Sequence, residues 1–361
     1  MKIPWWKLRR EIYRVGHQLL EPYQKCRDVI LRVKYKVRHE HHVKHFDGEI
    51  PWSSRVAVFL IYQPNGVVES IINTCEFLIR NGYACVIVSN GHLSEMEKIR
   101  IRSVVSHLIV RPNFGYDFGG YQEAILWLFK LNMEIDRLLI LNDSIWFPVF
   151  PESTFLSDME RSGADVVGAL SAQRGSKQRH QRKLFYASFM LLFSGKVWSS
   201  SVFKNFWKNY RQTSSKSTTI RNGERKLSAL FIHDHQFTHH VMVDQVSCKR
   251  LIDGDKIGSW PLLVQDLIIM DPKLDKEKNE LLAYSGSDIE DRWKNWYQNL
   301  CDTQNMFACA QIPLILKLGV PFIKKSRDHQ NLLMLKKGLA LFQASGKIDS
   351  QVITEIKLHI R

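Results

Sequence analysis

The sequence predicts an α/β protein: a mostly parallel sheet flanked by helices, with a basic helical N-terminal segment and a mixed, partly helical C-terminal region. Three observations predict it. Between Arg55 and Leu141, short apolar runs recur that are apolar on both faces, as strands covered on both sides must be. Segments with helical spacing separate these runs. The order is strand, helix, strand, helix, strand, helix, strand, which suits parallel pairing with crossover helices.

The first 45 residues hold twelve Lys and Arg against four Asp and Glu. Trp5, Trp6, Leu8, Ile12, Leu19, Leu20, Val29, Ile30, Leu31 and Val33 are interleaved with those charges, so the segment reads as one or two basic amphipathic helices. Such helices lie in the headgroup layer of an anionic membrane or pack their apolar stripe on the main domain. His39–Glu49 reads as a polar linker. Val56–Tyr62 is then a buried strand, and Val67–Asn81 a helix with Val68, Ile71, Ile72, Cys75, Phe77 and Leu78 on one face, stopped by Gly82. Ala84–Ser89 is the second strand. Ser94–Arg102 is a helix opened by Ser94 as N-cap with Glu97 three residues on. His107–Val110, Gly120–Leu131 and Arg137–Leu141 complete the alternation as strand, helix and strand. Further on, Asp165–Leu170 and Ala187–Phe193 are strands and Val202–Tyr210 a helix. Gly175–Lys183 and Gln212–Arg225 are polar, basic and expected to be mobile loops. The predicted organisation is a basic segment and linker over 1–50, a catalytic domain over 51–270 and a mostly helical extension over 271–361.

Composition narrows the function classes. With 361 residues and 45% hydrophobic content, a substantial core is available. No apolar run approaches the ~18–20 residues that span a bilayer, and no secretory signal is visible. The six cysteines include no CxxC pair and read as reduced thiols of a cytoplasmic protein. The net charge of +15 favours anionic partners. Nucleic acid is not expected among them, because no helix-turn-helix, zinc-finger or RNP-like pattern is present.

Two segments carry the chemistry. Arg111–Tyr121 lies between a strand and a helix. Gly115, Gly119 and Gly120 permit close backbone approach, the helix N-terminus favours phosphate, and Asp117 can bind a ribose or sugar hydroxyl. The plainer reading is a tight turn with an Asp cap. Neither a Walker loop nor a dinucleotide fingerprint is present. In the second segment, Leu138–Leu141 ends in Asn142-Asp143-Ser144. A carboxylate at a strand's C-terminal edge can hold a hard divalent cation beside a diphosphate; the plainer reading is an Asx turn. Ligands of such sheets bind beyond the carboxyl ends of the strands, which puts Gln63–Gly66, Ser89–Gly91, Arg111–Gly120 and Asn142–Ser144 on one rim.

Asn113-x-Gly115-x-Asp117-Phe118-Gly119-Gly120-Tyr121 followed by Leu141-Asn142-Asp143-Ser144 resembles the rhamnan synthesis protein F family of bacterial polysaccharide assembly. The resemblance runs from about Arg55 to Asp244, through Ala164–Gly168, Phe189–Phe193, Phe206-Trp207 and Gly223-Glu224, with an echo at Gly319–Lys325. It implies an A-type glycosyltransferase fold that transfers a sugar, rhamnose from dTDP-rhamnose, to a lipid-linked glycan. The enzyme would be peripheral on the inner face of the cytoplasmic membrane. It implies nucleotide-sugar contacts at Asn113, Gly115, Asp117, Gly119, Gly120, Asn142 and Ser144. Asp143 would assist the departing diphosphate and hold a divalent cation, Mg or Mn. Where the fold usually carries Asp-x-Asp, only Asp143 keeps a charge here. Glu224 is the base the resemblance suggests, with Asp234 as rival. His233-Asp234-His235-x-x-x-His239-His240 could hold zinc if His235 and His239 share a helix face, though ordinary surface histidines are commoner. The alternative to the enzyme is a non-catalytic nucleotide-sugar-binding or scaffold protein of an assembly complex.

Overall fold

The structure, a computed structural model, describes residues 23, 24, 26–174, 183–244, 247, 248, 251 and 260–361. The N-terminal residues Trp5, Trp6, Leu8, Ile12, Leu19 and Leu20 lie outside the described residues. So does the loop expected at Gly175–Lys183, except Lys183, which opens a strand.

The sheet is built from β1 (Lys44–Asp47), β2 (Arg55–Ile61), β3 (Ala84–Ser89), β4 (His107–Val110), β5 (Arg137–Asn142), β7 (Val166–Arg174), β8 (Lys183–Tyr186), β9 (Met190–Ser194) and β10 (His239–Val243), while β6 (Ile145–Trp146) and β11 (Ile323–Lys324) form a separate hairpin-like pair. The order across the main sheet is β1-β4-β3-β2-β5-β9-β7-β10, with β8 beside β7. β2, β3, β4 and β5 are parallel neighbours, as expected. β9 then inserts antiparallel between β5 and β7, and β10 resumes the parallel direction. The sheet is therefore mixed, with its parallel block centred on β2.

Alternation along the strands explains why both faces are covered. Ala57, Phe59 and Ile61 enter one core with Cys85, Ile87, Leu139 and Leu141, under the helices Glu69–Arg80 and Phe155–Arg161. Val56, Val58 and Leu60 enter the other with Val86, Val88, Leu138 and Ile140, under the helices Tyr116–Lys130, Ser201–Asn209 and Arg225–Ile232. Each buried Leu, Ile or Phe contributes ~1.5–3 kcal/mol, so a strand apolar on both faces has no stable exposed register. The Ser94 cap is present with its capping box: Glu97 answers the Ser94 backbone. A third core holds Trp146 and Val149 against the C-terminal helices His329–Ser345 and Ser350–His359. Glu355 fastens it, accepting from Ser70 N–H (2.8 Å), Ser70 Oγ (2.6 Å) and Trp146 Nε1 (2.8 Å), all buried.

Two expectations need correction. The stretch His39–Glu49 is more than a linker: after the short helix His39–His42, β1 adds antiparallel to the sheet edge at β4. The stretch Gln212–Arg225 is no loose loop. Gln212 and Thr213 are buried, a short helix covers Lys216–Thr219, and a π turn covers Ile220–Glu224. The reason is the helix over residues 26–37, which packs on it. Asp28 accepts from Thr213 Oγ1, Ser214 N–H and Ser214 Oγ, and Arg32 donates to the Gln212 carbonyl at 3.0 Å. Sequence periodicity reports a helix's own faces and says nothing of a partner 180 residues away.

Candidate active site

The C-terminal ends of β2, β3, β4 and β5 meet at one rim, and the chain entering β9 joins them: the Asn142 N–H donates to the Phe189 carbonyl at 3.1 Å. Arg111, fully buried, organises the turn after β4. Its guanidinium donates to Asn90 Oδ1, the Phe114 carbonyl and Tyr35 Oη. Gly115 then takes φ 85°, and a Cβ there would press on Gln212. Tyr116, with φ 52°, is held in the same left-handed region and donates to the Ser214 carbonyl at 3.1 Å. A non-glycine residue in that region costs ~1–3 kcal/mol and is retained where surrounding structure imposes it. Gly119 and Gly120 are explained by packing. A Cβ on Gly119 would lie 2.3 Å from the Phe114 carbonyl oxygen, and one on Gly120 would lie 2.0 Å from Leu60 Cδ1. Asn113 is exposed on the turn.

The helix that begins at Tyr116 sets Asp117 against β5. Asn142 Nδ2 donates to Asp117 Oδ2 at 3.1 Å, so the two sequence motifs touch. Ser144 closes an Asx turn, its N–H and hydroxyl both directed at Asn142 Oδ1. Between them, Asp143 Oδ2 accepts from Tyr62 N–H at 2.7 Å and Gln63 Nε2 at 2.6 Å. Burial pushes the Asp143 carboxyl above the usual range, while those two donors and the charge of Lys325 oppose the shift.

Glu224 arrives from the other direction. A Cβ on Gly223 would lie 2.6 Å from the Phe118 ring, so glycine lets the π turn seat on the helix Tyr116–Lys130. Single π turns inside helices recur at functional sites. Glu224 Oε2 accepts from Ser188 N–H at 2.9 Å and Ser188 Oγ at 2.8 Å. Burial, then the charges of Asp143 and Glu224, push the Asp117 carboxyl up to about 6. Three carboxylates thus share one electrostatic neighbourhood. A carboxyl held near neutrality can carry a proton in either direction at working pH.

The remaining candidates separate from this rim. Asp234 caps a turn by accepting from Gln236 N–H and precedes β10. β10 runs parallel to β7, whose antiparallel partner β9 also opposes β5, so the start of β10 lies at the rim opposite Asp143. His235 sits in that turn and His239 opens the strand, so they do not share a helix face. Among the described residues, no group of three or more His, Cys, Asp and Glu is placed to hold a metal ion. Sequence reasoning missed Ser188, which positions Glu224, and Lys324 and Lys325, which the β6–β11 pair brings beside the strand-end triplet. Only the faint motif at Gly319–Lys325 signalled the lysines.

Comparison with known proteins agrees with the sequence motifs. The profile of the family described as rhamnan synthesis protein F matches residues 85–265, which include Asp117, Asp143, Ser188 and Glu224. The uncharacterized protein y4gN of Sinorhizobium fredii is 33% identical over 227 residues, 62% of this chain and 58% of that protein. Virulence protein VirA of Vibrio anguillarum is 29% identical over 164 residues, 44% of this chain and 49% of that protein. The matches thus span about half the length of these curated relatives. Among solved structures, the glycosyltransferase GlyE of Streptococcus pneumoniae is similar at 14% identity and a TM-score of 0.30, over 76% of this chain and 66% of that one. A glycosyltransferase involved in glycosylation of the PBCV-1 major capsid gives 12% identity and a TM-score of 0.29, over 52% and 80%. Similarity at this level fixes no residue's role.

Proposed function

We propose a function that starts from one premise: the chain belongs to the rhamnan synthesis protein F family. On that premise it is a glycosyltransferase that moves a sugar, rhamnose from dTDP-rhamnose, onto a lipid-linked glycan in bacterial surface-polysaccharide assembly. The observation that carries the reading is the convergence of Asp117, Asp143 and Glu224 at the carboxyl ends of the strands, where ligands of α/β sheets bind. In the proposed step, a carboxylate takes the proton of the acceptor hydroxyl. The oxygen forms a bond to the anomeric carbon, and the carbon–phosphate-oxygen bond breaks with its electron pair leaving on the nucleoside diphosphate. Glu224 is the proposed base, its Oε2 fixed by Ser188. Asp117 and Asn142 lie where they can orient sugar hydroxyls.

The residues present do not by themselves make a centre for a divalent cation, Mg or Mn. The strand-end triplet has one carboxylate, its Oδ2 already accepts two N–H donors, and no three-donor group exists among the described residues.

The membrane side of the proposal rests on the helix over residues 26–37. Its inward face holds the Gln212–Ser214 stretch through Asp28 and Arg32. Its outward face carries Val29, Ile30, Val33 and Val37, with Tyr23 just before it, each more than half exposed. Lys34 and Lys36 are exposed beside them. An apolar stripe edged with lysines suits the headgroup layer of an anionic membrane, where a lipid-linked acceptor resides. Among the described residues, no helix is long and apolar enough to cross a bilayer.

A thermal-shift screen against nucleotide sugars, with and without divalent ions, tests the donor reading. A ligand that binds only the folded chain stabilises it by RT ln(1 + [L]/Kd). A concentration-dependent rise with at least one donor is expected; no rise across the panel removes the donor site.

A further inference from the structure

Two lysines reach the proposed donor site from the far end of the chain, and the step above leaves them unused. β11 pairs antiparallel with β6 immediately after the strand-end triplet, with Ile323 opposite Trp146 and Lys324 opposite Ile145. The Lys325 N–H then donates to the Ser144 carbonyl at 2.8 Å. This pairing fixes Lys324, and Lys325 just beyond the strand, beside Asn142-Asp143-Ser144.

Lys324 Nζ sits 5.7 Å from the Phe189 ring centroid and 5.4 Å from that of Phe307. Phe189 is the residue after Ser188, the one that holds Glu224. Lys325 Nζ sits 5.1 Å from the Trp146 ring centroid, and the nearby negative charges are Asp143 and Glu355. Neither ammonium lies within 4.0 Å of a carboxylate among the described residues. Burial lowers both lysines below the usual range; Glu224 and Asp328 oppose the shift at Lys324, and Asp143 and Glu355 oppose it at Lys325.

Two half-buried ammonium groups with no carboxylate within 4.0 Å among the described residues are costly to hold. Desolvating such a group is costly, and ring contacts recover only part of the loss. The arrangement makes sense if an anion completes it. A departing diphosphate also needs positive charge, and among the described residues no group of three or more His, Cys, Asp and Glu is placed to hold a metal ion.

We propose that Lys324 and Lys325 bind the diphosphate of the donor and stabilise the negative charge that gathers on it as its bond to the sugar breaks. The inference rests on the donor-site reading above and assigns its cation to the chain itself. Lysine suits this work as a compact point charge with three donors, and it binds phosphate without a fixed fork geometry.

The test is calorimetric titration of the full chain with dTDP, UDP and GDP, and with the matching nucleosides, in EDTA. The variants are Lys324→Met, Lys325→Met and the double Lys→Arg replacement. Wild type should bind at least one diphosphate in EDTA. Each Met variant should weaken that binding by about tenfold or more, since a charge-assisted contact is lost, and leave nucleoside binding unchanged. The Arg pair should stay within about threefold, because the charge is kept. If a Met variant misfolds, wild-type affinity against KCl decides: a steep fall with salt supports the clamp and a flat response overturns it. Met variants that bind like wild type also overturn it, as does wild-type binding that requires Mg, and in both cases the donor site survives. If wild type binds no nucleoside diphosphate, the donor reading falls and this inference with it.

Discussion

Asn142 donates its side-chain amide to Asp117 at 3.1 Å, joining the glycine-rich turn after β4 to the end of β5. The contact explains the amide at the first position of the strand-end triplet. A carboxylate there would face Asp117 directly, with Asp143 and Glu224 close by. Asn142→Asp should therefore destabilise the fold at neutral pH by ~1–3 kcal/mol, the usual loss when a satisfied buried group meets an unfavourable partner. The defect should shrink at pH 5, where the pair takes up a proton. Urea midpoints at the two pH values check this; equal midpoints for wild type and variant at pH 7.5 would contradict it.

Asp117 makes the native state itself sensitive to pH. Its folded value is about 6, against 3.8 as the ordinary value. A raised carboxyl means that the folded chain binds more protons than the unfolded chain between those values. Its contribution thus favours folding at low pH and is lost as pH rises through about 6, by at most ~3 kcal/mol. Asp117→Asn keeps an acceptor for Asn142 and removes the charge. The variant should be more stable than wild type at pH 7.5, by an amount that falls toward pH 4, while donor turnover drops about tenfold or more. An Asp117→Asn chain less stable than wild type at pH 7.5 would refute the strained-carboxylate account.

Much of this was legible in advance, and the reasons are physical. The strands from Arg55 to Asn142 are apolar on both faces, which only a doubly covered sheet satisfies, and β3 and β4 have the bounds that the pattern predicts. The Ser94 capping box was readable because its partners are three residues apart. Contacts of long sequence separation were not readable. Nothing local marks Asp28 as the partner of Ser214, or Glu355 as that of Ser70. In the sequence β9 reads as one more strand, but its antiparallel place between β5 and β7 is decided by topology. At the site, Asp117, Asp143 and Glu224 were named from sequence and do converge. Gly119 and Gly120, read as ligand-approach positions, are accounted for by contact with Phe114 and Leu60.

Glu224 is the proposed base, and its test separates chemistry from binding. Glu224→Gln keeps the shape and an acceptor for Ser188 but cannot take a proton. Turnover should fall by ~10²–10⁴-fold with donor affinity little changed, as general-base loss predicts. Steady-state kinetics beside donor titration make the measurement. Retained turnover would pass the base role to Asp117.

The outward stripe of the helix over residues 26–37 is testable without touching its docked face. Val33→Asp with Val37→Asp should lower binding to anionic vesicles by about tenfold or more, because charge replaces the face that enters the headgroup layer. The double variant should keep wild-type stability, since both positions are more than half exposed. Sedimentation with phosphatidylserine-containing vesicles at low salt gives the answer. Unchanged sedimentation would leave the helix a purely structural cover for Gln212–Ser214.

Glu355 carries a structural prediction. Glu355→Ala strands three buried donors, Ser70 N–H, Ser70 Oγ and Trp146 Nε1, and should cost about 3 kcal/mol in unfolding free energy. Glu355→Gln should cost less. Limited proteolysis should then cut first in the C-terminal helices of the variant, whose tie to the helix Glu69–Arg80 is broken.

The central claim is sugar transfer at the rim that holds Asp117, Asp143 and Glu224. The most direct measurement is a radiolabelled-donor assay on membranes from a strain lacking this gene, using a panel of nucleoside-diphosphate sugars that includes dTDP-rhamnose. Labelled lipid-linked product is predicted with the wild-type chain, and its loss with a folded Asp143→Ala variant. Neither transfer nor hydrolysis of any donor by the wild-type chain would contradict the account and leave a non-catalytic scaffold in its place.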